Sequence, residues 1–470
     1  MSHISLDACK TYLGTTQLGV GVRGGAEILI HVAHQVFNYI LKKAPRNPNY
    51  GEELETDCAV SLDAVNAFNS MRHNNILKGL AEGCPQLVPI FLWTYKDPSK
   101  LCRSVRDQVT NCCTGIKQGD NLGPVFFCFG LAWILKEVQL QFPDVTILAF
   151  MDDIFTFGSW LRVKPAITRL IELLGQESVN LKINLSKSTR FSLLDPDPDL
   201  NIKDSNQGMM VLGAPIGTDE YKTQAIRSQI NDKKSILPSL SELNAPEHFA
   251  LLKSCVNTRP TFMIRTCQPP IMSAAIPDFD NAIMSDLNNL TSVHADQNNR
   301  IVTPLPEHAK CIATLPSYLG GIGLSNICSL ATAGWTSAWM MSFQFIKSHL
   351  PNIYRVATFI DIDADDLIKL KIIPSDAPDP NRAISNLFVG DKCPSQKELA
   401  ETVHKDRQTQ LLEKLANSND QDRISLLLSA SQQGINAWLA SGTTMIAAHK
   451  LEPDEFVRCA SLQVATSCNG

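Results

Sequence analysis

Along the first 240 residues, short apolar runs suited to strands alternate with stretches whose apolar positions recur at helical spacing. "CAVSLD", residues 58 to 63, reads as a strand, and Leu77 and Leu80 carry a helix that starts near Asn69 and is stopped by Gly83 and Pro85. "LGPVFFCFGLAWIL", residues 122 to 135, is apolar all round but shorter than the roughly 20 residues that cross a bilayer. It predicts a buried helix, opened near Pro124 and closed before Pro143. "VTILAF", a turn at "MDD" and "IFTF" predict a hairpin; "VKPAITRLIELLGQ" has helical spacing and "VNLKINLS" alternates like a strand. The Asp/Pro-rich "DPDPDLNIKD" reads as a loop and "GMMVLGAPIG" as a strand pair.

Strand, helix, hairpin, helix, strand is the split βαβ order of a ferredoxin-like sheet, so the fold class is α+β. From about residue 220 helices dominate. Asn244, with Glu247 three residues on, has the pattern of a capping box ahead of "APEHFALLKSC". "PSDAPDPNR", residues 374 to 382, is a candidate linker, and residues 384 to 470 read only as helices such as "ISLLLSASQQGINAWLA". No internal repeat or low-complexity tract stands out.

Composition adds bounds rather than chemistry. A chain of 470 residues should form two or three domains, and 44% hydrophobic with 19% charged residues describes a globular protein. The fourteen cysteines include no CxxC pair, which argues against a zinc knuckle or a disulfide framework and for a reducing, intracellular compartment. "MSHISLDACK" lacks the basic and apolar regions of a secretory signal. The net charge of −5 does not favour a phosphate-binding protein, yet residues 1 to 240 balance at 24 basic and 24 acidic side chains, so the deficit lies in the C-terminal half.

The sharpest chemical signal is "FMDD". Two adjacent carboxylates at a hairpin turn repel each other, and in a medium of low dielectric one of them would protonate unless a cation sits between them. Mg²⁺, which takes hard oxygen ligands, reverses that balance. Taken alone, Asp152 and Asp153 most often read as solvated hairpin-tip acids, and Asp63, at the end of "CAVSLD", as a helix cap. Together the three would complete a cation site at one edge of a sheet. "TGIKQGDNLGP", residues 114 to 124, sets Gln118 between backbone-permissive glycines ahead of a helix, a loop able to approach a nucleotide or simply a glycine-containing connection.

"SLDAVNAFNSMRH", "GIKQGDNLGP", "FMDD", "LKINLSKS" and "VLGAPIG" stand in the order of motifs A to E of reverse transcriptases and resemble the non-LTR retrotransposon and group II intron branch. The resemblance is strong over about residues 15 to 220; "LPSYLGGIGLSN", residues 315 to 326, is similar to a segment beyond the polymerase core of retroelement proteins. It implies a right-hand polymerase: partial fingers at 1–54, a ferredoxin-like palm at 55–78 and 111–218, a second fingers segment at 79–110, a helical thumb and connection at 219–371 and a helical C-terminal extension at 384–470. The activity implied is addition of dNTPs to a DNA or RNA primer 3′-end on an RNA template.

Carried over by position, Asp63, Asp152 and Asp153 would hold two Mg²⁺ ions, with Mn²⁺ as a substitute. Phe68 would be a steric gate against the ribose 2′-hydroxyl; read from composition alone it is core. Gln118 and Gly119 would contact the nucleotide, and Lys187, with Lys182 as competitor, would assist the departing pyrophosphate. Gly213 and Pro215 would brace the primer.

"QLGVGVRGGAEILIHV", residues 17 to 32, resembles the fingers motif ahead of motif A, and Arg23 is its candidate for the triphosphate clamp, although its glycine neighbours suit a turn as well. Sixteen residues precede that segment, with Lys10 as their one basic side chain, and "CASLQVATSCNG" ends the chain without metal-ligand spacing. These departures lead to the expectation of an incomplete element protein. The rival readings are a catalytically inactive remnant that binds nucleic acid and an RNA-dependent RNA polymerase, the latter disfavoured by Phe68. The resemblance also implies nuclear residence, no membrane, and room for a nuclease partner; it leaves the oligomeric state open.

Overall fold

The computed structural model of the protein describes residues 11–43, 56–101, 110–117, 119–291, 305–357, 364–376 and 393–432. The chain divides into two compact units, Met1–Tyr221 with Met341–Phe359, and Lys222–Met340 with Ile360–Gly470.

In the first unit the strands are β1 (Cys58–Leu62), β2 (Ser99–Leu101), β3 (Thr110–Cys112), β4 (Thr146–Phe150), β5 (Asp153–Gly158), β6 (Thr189–Ser192), β7 (Lys203–Ser205), β8 (Gly208–Val211) and β9 (Ala214–Gly217). Five of them form one sheet in the order β4-β5-β1-β6-β7, while β2 pairs with β3 and β8 with β9. β1 lies antiparallel between β5 and β6, as the split βαβ order requires. The helices of this unit are α1 (Gly25–Lys43), α2 (His73–Gly83), α3 (Val88–Tyr95), α4 (Gly123–Gln141) and α5 (Trp160–Gly175).

Strand alternation sends successive side chains to opposite faces, and both faces are covered. Val60, Leu62, Ile147, Ala149 and Ile154 join a core with Phe126 and Phe127 of α4, Ile76 of α2 and Leu170 of α5. Ala59, Leu148, Phe155, Phe157 and Phe191 join another with Ile28, Val32, Val36 and Phe37 of α1. The sheet is therefore packed against helices on both of its faces. α4 is apolar and long enough to cross a membrane, but it is mostly buried and is the core helix its pattern predicts. Its close crossing with α2 depends on Gly79, where a Cβ would come 2.1 Å from the Phe129 carbonyl oxygen.

Three expectations need correction. "VNLKINLS" is not a strand: Asn180 turns the chain with φ 61°, and only Ile183 forms a bridge, to Ala64, while the sheet strand is the following Thr189–Ser192. Its alternating leucines and isoleucine pack on the core without a ladder. The loop 195–204 runs into β7, which lies parallel to β6. The helix expected from Asn69 is broken into a single turn, Ala67–Ser70, and α2.

The helices that lie wholly or mostly in the second unit and matter here are α6 (Asp219–Lys234), α7 (Ala245–Leu251), α8 (Ile276–Thr291), α9 (Glu307–Ala313), α10 (Ile327–His349), α11 (Gln396–Asn417) and α12 (Gln421–Ala430). Ile226, Phe249, Ile276, Phe279, Ile283, Leu287 and Ile322 share its main core. Asn244 caps α7 by accepting from the Glu247 N–H at 3.1 Å, as its spacing predicts. A full capping box at Ser395 and Glu398, which opens α11, was not foreseen.

The "GGIGLSN" segment is a tied loop. Asn257 accepts from the Ser325 N–H at 2.6 Å and donates to its carbonyl at 3.0 Å, and the Lys253 ammonium donates to the Ile322 carbonyl at 3.0 Å. The expected linker at 374–382 lies mostly outside the described residues, as do residues 433–470.

Candidate active site

β1 ends at Leu62, which pairs with Ile154 of β5. Continuing that antiparallel register by one residue sets Asp63 opposite Asp153, a cross-strand position where side chains interact directly. The backbone of Asp63 is held on its other side: its N–H donates to Ser188 Oγ at 3.1 Å, and its carbonyl accepts from the Asn184 N–H at 2.7 Å. Asp63 is not used as a helix cap, because the single turn that follows has Asn66 at its N-cap position.

Phe150 pairs with Asp153, leaving Met151 and Asp152 as a two-residue turn. Met151 takes φ 57°, a left-handed conformation unusual for a side chain of its size. The Asp152 carboxyl is raised above its ordinary range by burial and further by the charge of Asp63, against its own backbone N–H, which lowers it. Asp153, exposed on one side, is pushed up to about 6 by desolvation, then by Asp152, then by Asp63. Burial and the Asp152 charge likewise hold the neighbouring Cys128 thiol protonated.

The three carboxylates thus lie at one end of the adjoining strands β4, β5 and β1, and Asp152 and Asp153 both feel the charge of Asp63. Among the described residues no group of three acidic, cysteine or histidine side chains closes into a metal-ligating cluster. The donor set nevertheless suits a hard divalent cation: all oxygen, and with mutual repulsion that positive charge would remove.

Phe68 is half-buried and stacks on Phe127, ring centroids 4.5 Å apart, at the margin of the core. Its carbonyl accepts from the Ile116 N–H at 2.6 Å, which ties the single turn 67–70 to the loop that holds Gly119. That loop is further anchored by the Gly115 N–H on the Met71 carbonyl, at 2.8 Å, and by Tyr95, whose hydroxyl bonds Asp120. Gly115 has φ 73°, and a Cβ there would strike the Asn69 backbone. Gly119, with φ 89°, faces open space; Gln118 lies outside the described residues.

Lys187 is exposed in the turn just before Ser188, the residue that holds the Asp63 N–H, while Lys182 offers its carbonyl to the Val65 N–H. Arg23 is exposed in a turn between Gly21 and Gly24, both with positive φ. Gly213 and Pro215 sit in the β8–β9 hairpin, whose Leu212 and Gly213 both have positive φ; it is a separate pair, not part of the sheet that carries the acids. Ser188 and Gln17, which contact this end of the sheet, were not singled out from the sequence.

Residues 30–222 match the family model described as reverse transcriptase (RNA-dependent DNA polymerase), and that span contains all three carboxylates. This region is a reverse transcriptase domain. Over 282 residues the chain is 21% identical to the retrotransposable element SLACS 132 kDa protein of Trypanosoma brucei gambiense, a match that covers 57% of this chain and 22% of that protein. The chain therefore spans about a fifth of its curated relative. A structure of telomerase from Candida albicans with a fragment of telomeric RNA aligns over 71% of this chain and 55% of its own, with 10% identity and a TM-score of 0.27. The reverse transcriptase domain so defined includes β1, the β4–β5 turn and the β8–β9 hairpin, together with Phe68, Gly119 and Lys187.

Proposed function

We propose that the chain is an RNA-directed DNA polymerase of a retroelement, adding dNTPs to a primer 3′-end on an RNA template. The observation that carries this reading is that Asp63, Asp152 and Asp153 lie at one end of the adjoining strands β4, β5 and β1, with the last pushed up to about 6 by burial first and then by the charges of Asp152 and Asp63. Such repulsion costs stability and is retained where the charges do work. Asp63, Asp152 and Asp153 would hold Mg²⁺ or Mn²⁺; when bound, a pair of such ions would supply Lewis acidity at the primer hydroxyl and charge neutralisation at the phosphates.

In this reading residues 55–78 and 111–218, with the five-stranded sheet, α4 and α5, are the palm, residues 79–110 are a second fingers segment, and residues 219–371 form the thumb and connection. Phe68 would exclude the ribose 2′-hydroxyl, and the loop with Gln118 and Gly119 would receive the nucleotide. Arg23 would clamp the triphosphate, and Lys187 would give a proton or positive charge to the leaving pyrophosphate. Gly213 and Pro215 would support the primer end, and template and primer would be gripped through phosphates and A-form shape. Nuclear residence and a nuclease acting in trans belong to the same proposal.

One observation favours the rival of an inactive remnant: the described carboxylates do not close into a ligating cluster. Primer extension on poly(rA)/oligo(dT) with Mg²⁺ or Mn²⁺ separates the two. Extension with dTTP, abolished by Asp152→Asn with Asp153→Asn, is the expected result. No extension with the hybrid still bound would leave the remnant, and extension with UTP as efficient as with dTTP would point to RNA synthesis.

A further inference from the structure

The segment "TQLGVGVRGGAE" enters the fold as a short side strand beside β4. The Ala149 N–H donates to the Thr16 carbonyl at 2.6 Å and the Leu18 N–H to the Ala149 carbonyl at 2.7 Å, giving a parallel bridge between Gln17 and Ala149. This sets the Gln17 side chain, fully buried, against the turn that carries the adjacent acids. Its Oε1 accepts from the Met151 N–H at 2.9 Å and from the Gly19 N–H at 3.0 Å, and its Nε2 donates to the Met151 carbonyl at 3.0 Å.

One primary amide thus satisfies both backbone groups of Met151, the residue in the left-handed conformation. A side chain with one acceptor and one donor in a planar fork is needed, and Gln is long enough to supply it. The approach is tight, since a Cβ on Gly19 would lie 2.7 Å from the Met151 nitrogen. A left-handed, non-glycine residue costs on the order of 1–3 kcal/mol unless its surroundings hold it. Here the amide supplies the hold, and Asp152 and Asp153 follow directly in the chain.

We infer that Gln17 is a positioning residue for the cation-holding turn: it fixes the Met151 backbone and thereby the direction in which Asp152 and Asp153 present their oxygens. The inference rests on the proposed role of those acids, and concerns a residue of the segment otherwise read as part of a triphosphate clamp. Groups that orient metal ligands without touching the ion typically change metal affinity or activity by about 10- to 100-fold when removed. A filler of ordinary core would change only stability.

The test uses the full chain and Gln17→Met, which keeps the volume and removes all three bonds. Mn²⁺ binding to the protein without nucleic acid, followed by electron paramagnetic resonance, should weaken by about 10-fold or more. Primer-extension kcat should fall by a similar factor, while KM for dTTP and affinity for the hybrid stay within about twofold of wild type. Equal Mn²⁺ affinity and kcat in a folded Gln17→Met, with only a lower melting temperature, would overturn the inference.

Asp152→Asn with Asp153→Asn is the control for the underlying reading: if that variant binds Mn²⁺ like wild type, the acids do not hold the metal and the proposed site itself fails. Should Gln17→Met not fold, amide hydrogen exchange in the wild type decides. The Met151 and Gly19 amides should be protected far beyond an exposed turn, and exchange at the rate of a free loop would refute the clamp.

Discussion

Two aspartates, one in each unit, are pushed up to about 6, and their surroundings could hardly differ more. Asp280, in α8, is raised by burial, yet it accepts from the Ile327 and Cys328 N–H groups at 3.1 and 2.9 Å and so closes the N-terminus of α10, with Arg407 also lowering its pKa. Asp153 has no hydrogen-bond donor on its carboxylate among the described residues, and its two charged neighbours are both acids. A shared pKa therefore conceals opposite arrangements. Asp280 is buried and satisfied, which is how a helix cap behaves. Asp153 is half open and opposed, an arrangement that makes sense when a cation joins it.

The largest effect that separates the two is on chemistry. Asp152→Asn with Asp153→Asn should lower primer extension by about 10³-fold or more, since several kcal/mol of charge stabilisation are lost at about 1.36 kcal/mol per tenfold. In metal-free buffer the same variant should be no less stable than wild type, because a repulsion has been removed; a marked fall in its melting temperature would mean that the acids serve the fold. Next in size, Phe68→Ala should reduce discrimination of dTTP over UTP in kcat/KM by about 10- to 100-fold. If only stability falls, the stack on Phe127 is the whole role of that ring.

Much of the sheet was legible because a short apolar run bounded by turn residues is a local signal: β1, the β4–β5 hairpin and β8–β9 are where their apolar runs place them. Alternation at "VNLKINLS" misled because an amphipathic strip can pack on a core without a ladder, and the turn at Asn180 is not encoded by hydrophobicity. The acids at the turn were readable as a doublet, whereas Gln17 was not. A lone glutamine looks like surface, and its partner is 134 residues away. Asp280 did leave a trace, since it falls on the apolar stripe of Ile276, Phe279, Ile283 and Leu287, where a charge demands a partner.

A smaller, pH-dependent effect tests the Asp280 side of the comparison. Its folded pKa lies above the ordinary carboxylate value, so the folded state holds the proton more tightly. Stability from this group is fully present below about 4 and is lost as pH rises through about 6, by up to ~3 kcal/mol. Asp280→Ala removes the cap, at a cost of about 1–2 kcal/mol near pH 4. The advantage of wild type over this variant in urea unfolding should then shrink between pH 4 and 7; an advantage that grows over that range would show that the ionised form is the preferred cap.

The smallest effect distinguishes the acids by what they lack. An ion that binds only the folded state stabilises by about 1.4 kcal/mol at ten times its Kd. Mg²⁺ should therefore raise the melting temperature of wild type, and EDTA should reverse the rise. Asp280→Ala should keep that response, because its backbone donors already do what a cation would do for Asp153. Asp152→Asn with Asp153→Asn should lose it. A Mg²⁺ response that survives in the double variant would place the stabilising ion elsewhere and remove the reason for treating the opposed carboxylates as unfinished without one.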